Sequence, residues 1–209
     1  MRSPVAAVLL DADGVLQVSP AGWVDDLKAL VPAGRGDDFA RDVFAAEVPA
    51  MVGDRAFPQV LDEVARRWDF ECDNARLLSH WHRIEVSAAT VDLVAELRSA
   101  GMRCYLASNQ HAYRAAHMRV GLGYDELFDG QFYSCDLGLT KSSPEFFSRV
   151  VDALDVPAGS VLFVDDNVKY VDAAGAVGLR AEQWSIDDGI EALRTLLARH
   201  GAPIRAETS

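Results

Sequence analysis

The chain has 209 residues, half of them apolar, and a formal net charge of −12 at pH 7. That length and composition suit one domain with an insertion, and the acidic balance without a basic run argues against a nucleic-acid surface. The apolar start is broken at Asp11, too early for a signal peptide or a membrane span, so we expect a cytoplasmic protein. The three cysteines are far apart and predict neither a disulfide framework nor a zinc site.

The first predicted element is an apolar strand that ends in two carboxylates. Residues 8–16 are Val-Leu-Leu-Asp-Ala-Asp-Gly-Val-Leu. Side chains alternate along a strand, so Asp11 and Asp13 leave its end on the same side, and Gly14 lets the backbone turn away. Two carboxylates in one small volume suggest an acid/base pair or a hard-metal site. An ordinary strand that ends in a solvated polar turn would give the same local sequence.

Residues 17–86 have helical periodicity without a convincing strand, in segments 38–46, 57–68 and 74–84. We predict an all-helical cap, 17–86, inserted after the first strand. There it would cover the carboxyl ends of the strands, which is the usual ligand site of an open α/β sheet. The core then consists of residues 1–16 and 87–209.

Beyond residue 90, apolar runs alternate with amphipathic stretches. Helices are predicted at 88–100, 112–120, 144–154 and 187–200, and strands at 102–107, 128–133, 161–164 and 180–183. A further helix is predicted to end near Gly178. Repeated strand–helix units predict an α/β fold, a Rossmann-like parallel sheet core flanked by helices.

Conspicuous polar residues follow the later strands as well. Ser108 and Asn109 end one strand, Asp165 and Asp166 end another, and Lys141 opens a loop that leads into a helix. Taken singly, Ser108 and Asn109 suggest a helix cap, and Lys141 suggests a solvated loop lysine. The carboxyl ends of parallel strands meet at one sheet edge, so these groups are expected to converge with the aspartates of the first strand.

In this order the motifs resemble those of the haloacid dehalogenase-like hydrolase superfamily. They are 11–16 (Asp-Ala-Asp-Gly-Val-Leu), Ser108-Asn109, Lys141 with Pro144, and 164–167 (Val-Asp-Asp-Asn). The insertion resembles the helical cap of the subclass with beta-phosphoglucomutase, sugar phosphatases and haloacid dehalogenases. The tripeptides Ser-Asn-Gln and Asp-Asp-Asn resemble the corresponding motifs of small sugar phosphatases that are related to the N-terminal domain of mammalian epoxide hydrolase. The departures are Ser142, where proline is frequent, and Tyr170, where an acid or amide often completes the last motif.

The resemblance implies a role for each of these residues. Asp11 would attack phosphorus and form an aspartyl phosphate. Asp13 would protonate the leaving oxygen and then activate water, a task that favours a pKa raised by its carboxylate neighbours. Ser108 and the backbone N–H of Asn109 would bind the phosphate, and Lys141 would offset the clustered negative charge.

The resemblance also implies a Mg2+ ion. Its ligands would be Asp11, the backbone carbonyl of Asp13, and Asp166, with Asp165 in support. His111, which follows the second motif, is expected to be a surface or capping histidine rather than a catalytic one.

The expected function is that of a Mg2+-dependent phosphatase acting on a small phosphorylated metabolite, for example a sugar phosphate. The alternatives are a 2-haloacid dehalogenase, a phosphomutase, and a non-catalytic binding protein with the same fold. The dehalogenase branch lacks the second aspartate of the first motif, so Asp13 argues for phosphorus chemistry. We expect no nucleic-acid or membrane partner, and a monomer or weak homo-oligomer.

Overall fold

A computed structural model describes residues 4–68 and 74–204 of the protein. The strands are β1 (Ala7–Leu10), β2 (Gln17–Val18), β3 (Glu85–Val86), β4 (Arg103–Ser108), β5 (Gly130–Tyr133), β6 (Val161–Asp165) and β7 (Arg180–Gln183). The helices are α1 (Trp23–Lys28), α2 (Gly36–Met51), α3 (Phe57–Arg67), α4 (Asn74–Ser79), α5 (Ala88–Ser99), α6 (Ala112–Ala116), α7 (Tyr124–Leu127), α8 (Ser134–Leu137), α9 (Pro144–Leu154), α10 (Val168–Ala176) and α11 (Ile190–Arg199).

The main sheet is parallel, with the strand order β5-β4-β1-β6-β7. The central strand β1 is buried along its whole length, as expected for a parallel strand covered on both faces. Leu9 pairs in register with Tyr105 of β4 and with Phe163 of β6. The predicted Rossmann-like α/β fold is confirmed, and its order places the ends of β4, β1 and β6 side by side.

Each face of the sheet has its own hydrophobic cluster. Val8 and Leu10 of β1 belong to one cluster, together with Leu97 of α5. Leu9 belongs to the other, with Phe147 of α9. This division follows from the alternation of side chains along the strand, and it fixes the sheet between two helical layers.

The helices α1–α4 enclose a separate hydrophobic cluster that includes Leu27, Phe39, Val60 and Trp81. The segment joins the rest of the chain through β2 and β3, which pair antiparallel with each other. The periodicity did not predict this ribbon, because two-residue strands are too short to show an alternating pattern.

No helix among the described residues is long and apolar enough to cross a membrane.

The predicted elements differ from the observed ones mainly at their ends. Segment 38–46 extends into the longer helix α2, and segment 74–84 is α4 followed by a 3-10 turn at His80–His82. Segment 112–120 is α6 followed by a π-helical turn, and segment 187–200 becomes helical α11 only from Ile190. The predicted bounds 144–154 and 180–183 match α9 and β7, because cap and breaker residues mark those ends.

Candidate active site

The carboxyl ends of the central strands bring the predicted polar residues to one edge of the sheet. Asp11 follows β1, Ser108 ends β4, and Asp165 ends β6. Lys141 joins two of these strand ends: its Nζ lies 2.6 Å from Asp11 Oδ1 and 2.7 Å from Asp165 Oδ2. The convergence expected from the sequence therefore occurs.

Lys141 is a buried residue, only 1% exposed, and not a solvated loop lysine. Burial acts to lower its pKa, but Asp11 and Asp165 together raise it, so the ammonium group stays charged. Its Nζ also lies 4.8 Å from the ring centroid of Tyr170, a cation–π distance. The aromatic residue at the departure from the family pattern thus contacts the lysine. The backbone N–H of Lys141 donates to Asn109 Oδ1 at 2.9 Å, which ties its loop to the end of β4.

Three carboxylates at this edge form a candidate metal centre. Asp11, Asp165 and Asp166 each offer an oxygen within 4.8 Å of the others. Both oxygens of Asp165 are engaged, one by Lys141 and one by the Asn167 N–H at 2.8 Å. Asp166 is exposed, and the buried Asp11 Oδ1 accepts no well-aligned hydrogen bond within the described ranges despite its nearby ammonium group. This oxygen-only set with unused acceptor capacity fits a hard cation such as Mg2+.

Electrostatics support the same conclusion. Burial raises the pKa of Asp11 to about 7, with Asp165 adding to the rise and Lys141 opposing it. Burial and Asp11 likewise raise the pKa of Asp166. A divalent cation would reverse both effects by favouring the ionised carboxylates.

Gly14 allows Asp166 to approach the turn after β1. Its φ is +82°, in the left-handed region, and a Cβ at this position would collide with the Asp166 carboxylate. Glycine is therefore required here on both conformational and steric grounds.

Asp13 lies in a different environment from Asp11. Arg114 donates two hydrogen bonds to it, from Nη1 to Oδ2 at 2.6 Å and from Nη2 to Oδ1 at 2.8 Å. Gln110 and Gln17 donate further bonds at 2.6 and 3.0 Å. Burial acts to raise the pKa of Asp13, but Arg114 and these donors outweigh it and lower the pKa. The expectation of a pKa raised by neighbouring carboxylates is wrong, because a guanidinium group is the nearest charge.

Arg114 was not among the predicted site residues. It is buried in α6, its Nη1 donates to Gln110 Oε1 at 2.9 Å, and its Nε donates to the Trp81 carbonyl at 3.2 Å. It thus links the strand ends to the helical segment. The available sequence signal was position alone, since Arg114 lies in the first turn of the helix that follows Ser108 and Asn109.

The remaining predicted residues occupy supporting positions. Ser108, only 1% exposed, accepts a hydrogen bond from Gln110 Nε2 at 3.2 Å. His111 caps α6 by accepting the Arg114 N–H at Nδ1, and its ring stacks on Phe57 at 3.8 Å. The expected capping role of His111 is therefore confirmed, but the residue is buried and the alternative of a surface histidine is wrong.

A cavity of about 310 Å³ lies between this edge of the sheet and the helical segment. Its lining residues come from both parts and are Asp13, Gly14, Val18, Ser19, Trp23, Glu47, Met51, Trp81, Arg83, Asn109, Gln110 and Arg114. A phosphorylated group in this cavity would be close to Asp13 and to the backbone at Asn109.

The fold and this acidic edge define a Rossmann-like α/β protein with a carboxylate-rich centre suited to hydrolysis. A family model described as haloacid dehalogenase-like hydrolase matches residues 5–178. The chain belongs to that hydrolase family.

Sesquiterpene phosphatase astK of Aspergillus oryzae (strain ATCC 42149 / RIB 40) is 36% identical to this chain over 93 residues. The match covers 44% of this chain and 47% of that protein, so the chain spans about half the length of this curated relative.

Among solved structures, a haloacid dehalogenase family enzyme of Bacteroides thetaiotaomicron, in a magnesium complex, is similar with a TM-score of 0.79. That match covers 91% of this chain and 98% of the other at 16% identity. An L-2-haloacid dehalogenase is similar with a TM-score of 0.63, over 85% of each chain, at 20% identity. At these sequence identities, the structural similarity is evidence for a shared fold alone.

Proposed function

We propose that the protein is a Mg2+-dependent phosphatase that hydrolyses a small phosphorylated metabolite, such as a sugar phosphate, through an aspartyl-phosphate intermediate on Asp11. The observation that carries the proposal is the buried Asp11 beside the Lys141 ammonium group, with Asp166 within reach and a second aspartate two residues on. The phosphatase relative and the magnesium complex of the structural neighbour support it.

In this mechanism Asp11 Oδ attacks phosphorus, and the bond from phosphorus to the leaving oxygen breaks. Asp13 gives a proton to that oxygen. In the second step Asp13 takes a proton from water, the hydroxide attacks phosphorus, and the bond to Asp11 breaks. Ser108 and Lys141 hold the phosphate oxygens. When bound, Mg2+ would neutralise the charge shared by Asp11, Asp166 and the incoming phosphate.

The contacts of Asp13 give its two tasks an order. Arg114 keeps the carboxyl group ionised, which is the form that accepts a proton from water. To protonate a leaving oxygen, Asp13 must separate from Arg114 and carry a proton. The Arg114 contacts therefore support the base role that we propose for Asp13 in the second step.

The test is phosphate release from a generic aryl phosphate in Mg2+ and in EDTA, followed by a panel of phosphorylated metabolites. Release is expected with Mg2+, with Mn2+ as a weaker substitute, and not after chelation. Full turnover after exhaustive chelation, with chloride release from a 2-chloro acid, would overturn the proposal in favour of a dehalogenase. Return of the phosphoryl group to a bound sugar would identify a mutase instead.

We also propose a cytoplasmic protein that is monomeric or weakly self-associating. The cytoplasmic location is supported by the cysteines, because Cys104 is a buried free thiol and Cys135 is also free. Free thiols are typical of a reducing compartment. Cys72 lies outside the described residues. Thiol titration of the unfolded chain should find all three cysteines reduced, and size-exclusion chromatography should give a mass near that of one chain.

A further inference from the structure

Apolar side chains lead from the cavity between the sheet edge and the helical segment to the surface of α2. Trp23 and Met51 line the cavity. Phe44 stacks on Trp23 with ring centroids 6.3 Å apart. Val48 shares one face of α2 with Phe44 and Met51, because the three positions are spaced i, i+4 and i+7. We call Trp23, Phe44, Val48 and Met51 the apolar strip.

The outer half of the strip is accessible to solvent. Phe44 is 38% exposed and Val48 is 65% exposed. Val18, on β2 at the cavity wall, is also 38% exposed. Clustered exposed apolar side chains that continue a ligand cavity mark a binding surface rather than a scatter of single residues.

Two charged side chains of the same cavity, Glu47 and Arg83, already have partners in the protein. Glu47 accepts a hydrogen bond from Trp81 Nε1 at 3.0 Å, and Arg83 forms an ion pair with Asp26 at 2.7 Å. The Trp23 indole N–H donates to the His80 carbonyl at 2.8 Å, so the part of its ring that lines the cavity offers apolar contact only. A polyol would compete with these existing partners to satisfy its hydroxyl groups, whereas a hydrocarbon chain needs no hydrogen-bond partner.

From this we propose that the substrate is the phosphate monoester of an apolar alcohol, of alkyl or prenyl type, whose chain lies along the apolar strip. The inference rests on the proposed phosphatase function and narrows its substrate class away from sugar phosphates. The cavity of about 310 Å³ is at the lower end of the usual size for small-molecule sites. A phosphate and a few carbons would fill it, and a longer chain would continue over Phe44 and Val48.

A homologous series of straight-chain alkyl phosphates, from ethyl to octyl, tests the proposal. These esters share the same reacting group and differ in the tail alone. In the presence of Mg2+, kcat/KM should rise about two- to fourfold with each added methylene group, where twofold corresponds to half burial and fourfold to full burial of that group. The rise should stop once the chain is longer than the apolar strip. Glycerol phosphate and ribose 5-phosphate should be no better than ethyl phosphate.

Two variants locate the effect on the strip. Phe44→Ser and Val48→Ser should each lower the octyl-to-ethyl ratio of kcat/KM about five- to twentyfold, because each removes apolar contact from the tail. Val120→Ser is the matched control, since Val120 is 81% exposed on the turn after α6. It should leave the ratio unchanged.

Binding gives a second readout that needs no turnover. Octyl phosphate should bind the Asp11→Asn variant with a more negative heat-capacity change than ethyl phosphate, and Val48→Ser in that background should reduce the difference. A flat alkyl series with good aryl phosphatase activity, or a preference for the polyol phosphates, would overturn the substrate inference alone. No phosphate release from any ester would overturn the proposed function and this inference together.

Discussion

Asp11 and Asp13 are separated by a single residue, yet their pKa values shift in opposite directions. Burial raises the pKa of Asp11, whereas at Asp13 the effect of burial is outweighed by Arg114 together with Gln17 and Gln110, which lower the pKa. A carboxylate nucleophile must be ionised, so Asp11 needs a nearby cation to reverse the rise in its pKa. The lowered pKa of Asp13 suits a base, and Asp13 acts as an acid only after it leaves Arg114.

Substituting each aspartate separately should give different kinetic defects. Asp11→Asn should abolish turnover and any covalent phosphoenzyme, because an amide is a poor nucleophile. Asp13→Asn should lower the rate on an alkyl phosphate by about 10²–10⁴-fold, the usual range for loss of general acid–base catalysis. Rapid-quench trapping with an aryl phosphate should show phosphoenzyme accumulating in Asp13→Asn. Wild-type turnover of alkyl phosphates by that variant would rule out the role of Asp13.

Arg114 should set the acidic limit of phosphoenzyme hydrolysis. Because Arg114 lowers the pKa of Asp13, the base stays ionised to lower pH than a free aspartate would. Arg114→Met should therefore move the acidic limb of the kcat profile on an aryl phosphate to higher pH. Arg119→Met is the control, since Arg119 pairs with Asp136 on the surface. An unshifted limb in Arg114→Met would mean that Asp13 is not the titrating group.

At this scale the sequence predicted the motif residues but not their partners. Asp11 and Lys141 carry local signals, a strand end and a helix start, that can be read from a few neighbours. Arg114 lies 101 residues from Asp13, and their ion pair depends on β4 lying beside β1. An ion pair between residues on different strands can be predicted only if the strand order is known. Hydrophobic periodicity does not reveal that order.

At the scale of elements, the end of α2 makes a close contact with α8. Gly53, just past α2, has a φ of +76°, and a Cβ there would lie 2.5 Å from the Cys135 carbonyl oxygen. Gly34 has a φ of +85° but nothing within 4 Å of its Cβ position. A comparison of the two positions therefore distinguishes the cost of a positive φ from the cost of a steric collision.

Gly53→Ala should destabilise the protein more than Gly34→Ala. Both substitutions place a side chain in the left-handed region, which costs about 1–2 kcal/mol. Gly53→Ala must also displace a backbone carbonyl, so its total should exceed that of Gly34→Ala by about 1–2 kcal/mol. Urea unfolding of both variants measures the difference. Equal losses would mean that the contact with α8 yields without cost.

Asp129 connects the start of β4 to α5 and makes a pH-dependent contribution to stability. Its Oδ2 accepts the Cys104 N–H at 2.8 Å, and its Oδ1 accepts from Arg98 at 2.7 Å. Burial acts to raise its pKa, but these bonds outweigh it and lower the pKa below the ordinary 3.8. A lowered pKa gives stability that is present above pH 3.8 and is lost as the pH falls through the folded-state value.

Asp129→Asn should therefore cost about 1 kcal/mol at pH 7, a small value because both partners are about one-third exposed. The cost should shrink as the pH is lowered below 3.8, because the unfolded chain then binds a proton at this carboxylate before the native state does. Denaturant unfolding at several pH values measures this. Asp152→Asn, on the exposed side of α9, should show no such trend. A cost that is independent of pH would assign the effect to hydrogen-bond geometry instead of charge.

Element boundaries were predictable where local signals are strong. Ser143 accepts the Glu145 N–H at the start of α9, and Pro144 occupies its first turn, so this helix begins where the sequence indicates. The helix predicted at 112–120 is interrupted because its second half takes a π-helical turn. His117 in that turn stacks on His82 of the helical segment, a contact between distant parts of the sequence that helical periodicity does not reveal.

At the scale of the whole molecule, the chain carries a net charge of −12 and still gathers Asp11, Asp165 and Asp166 at one sheet edge. Lys141 offsets part of that local charge. The remaining repulsion acts against the folded state, because the carboxylates are far apart in the unfolded chain. A cation bound there would therefore stabilise the fold as well as the reaction.

Saturating Mg2+ should raise the melting temperature relative to EDTA. At 100 times Kd, binding adds about 2.7 kcal/mol. For a chain of this size that corresponds to a rise of about 5–10 °C. Asp166→Asn should remove most of the rise, because it takes away the exposed ligand of the cluster. Asp172→Asn, a substitution of an exposed acid on α10, should keep it. An equal rise in the Asp166 variant would place the ion elsewhere and would separate metal binding from the site formed by β1 and β6.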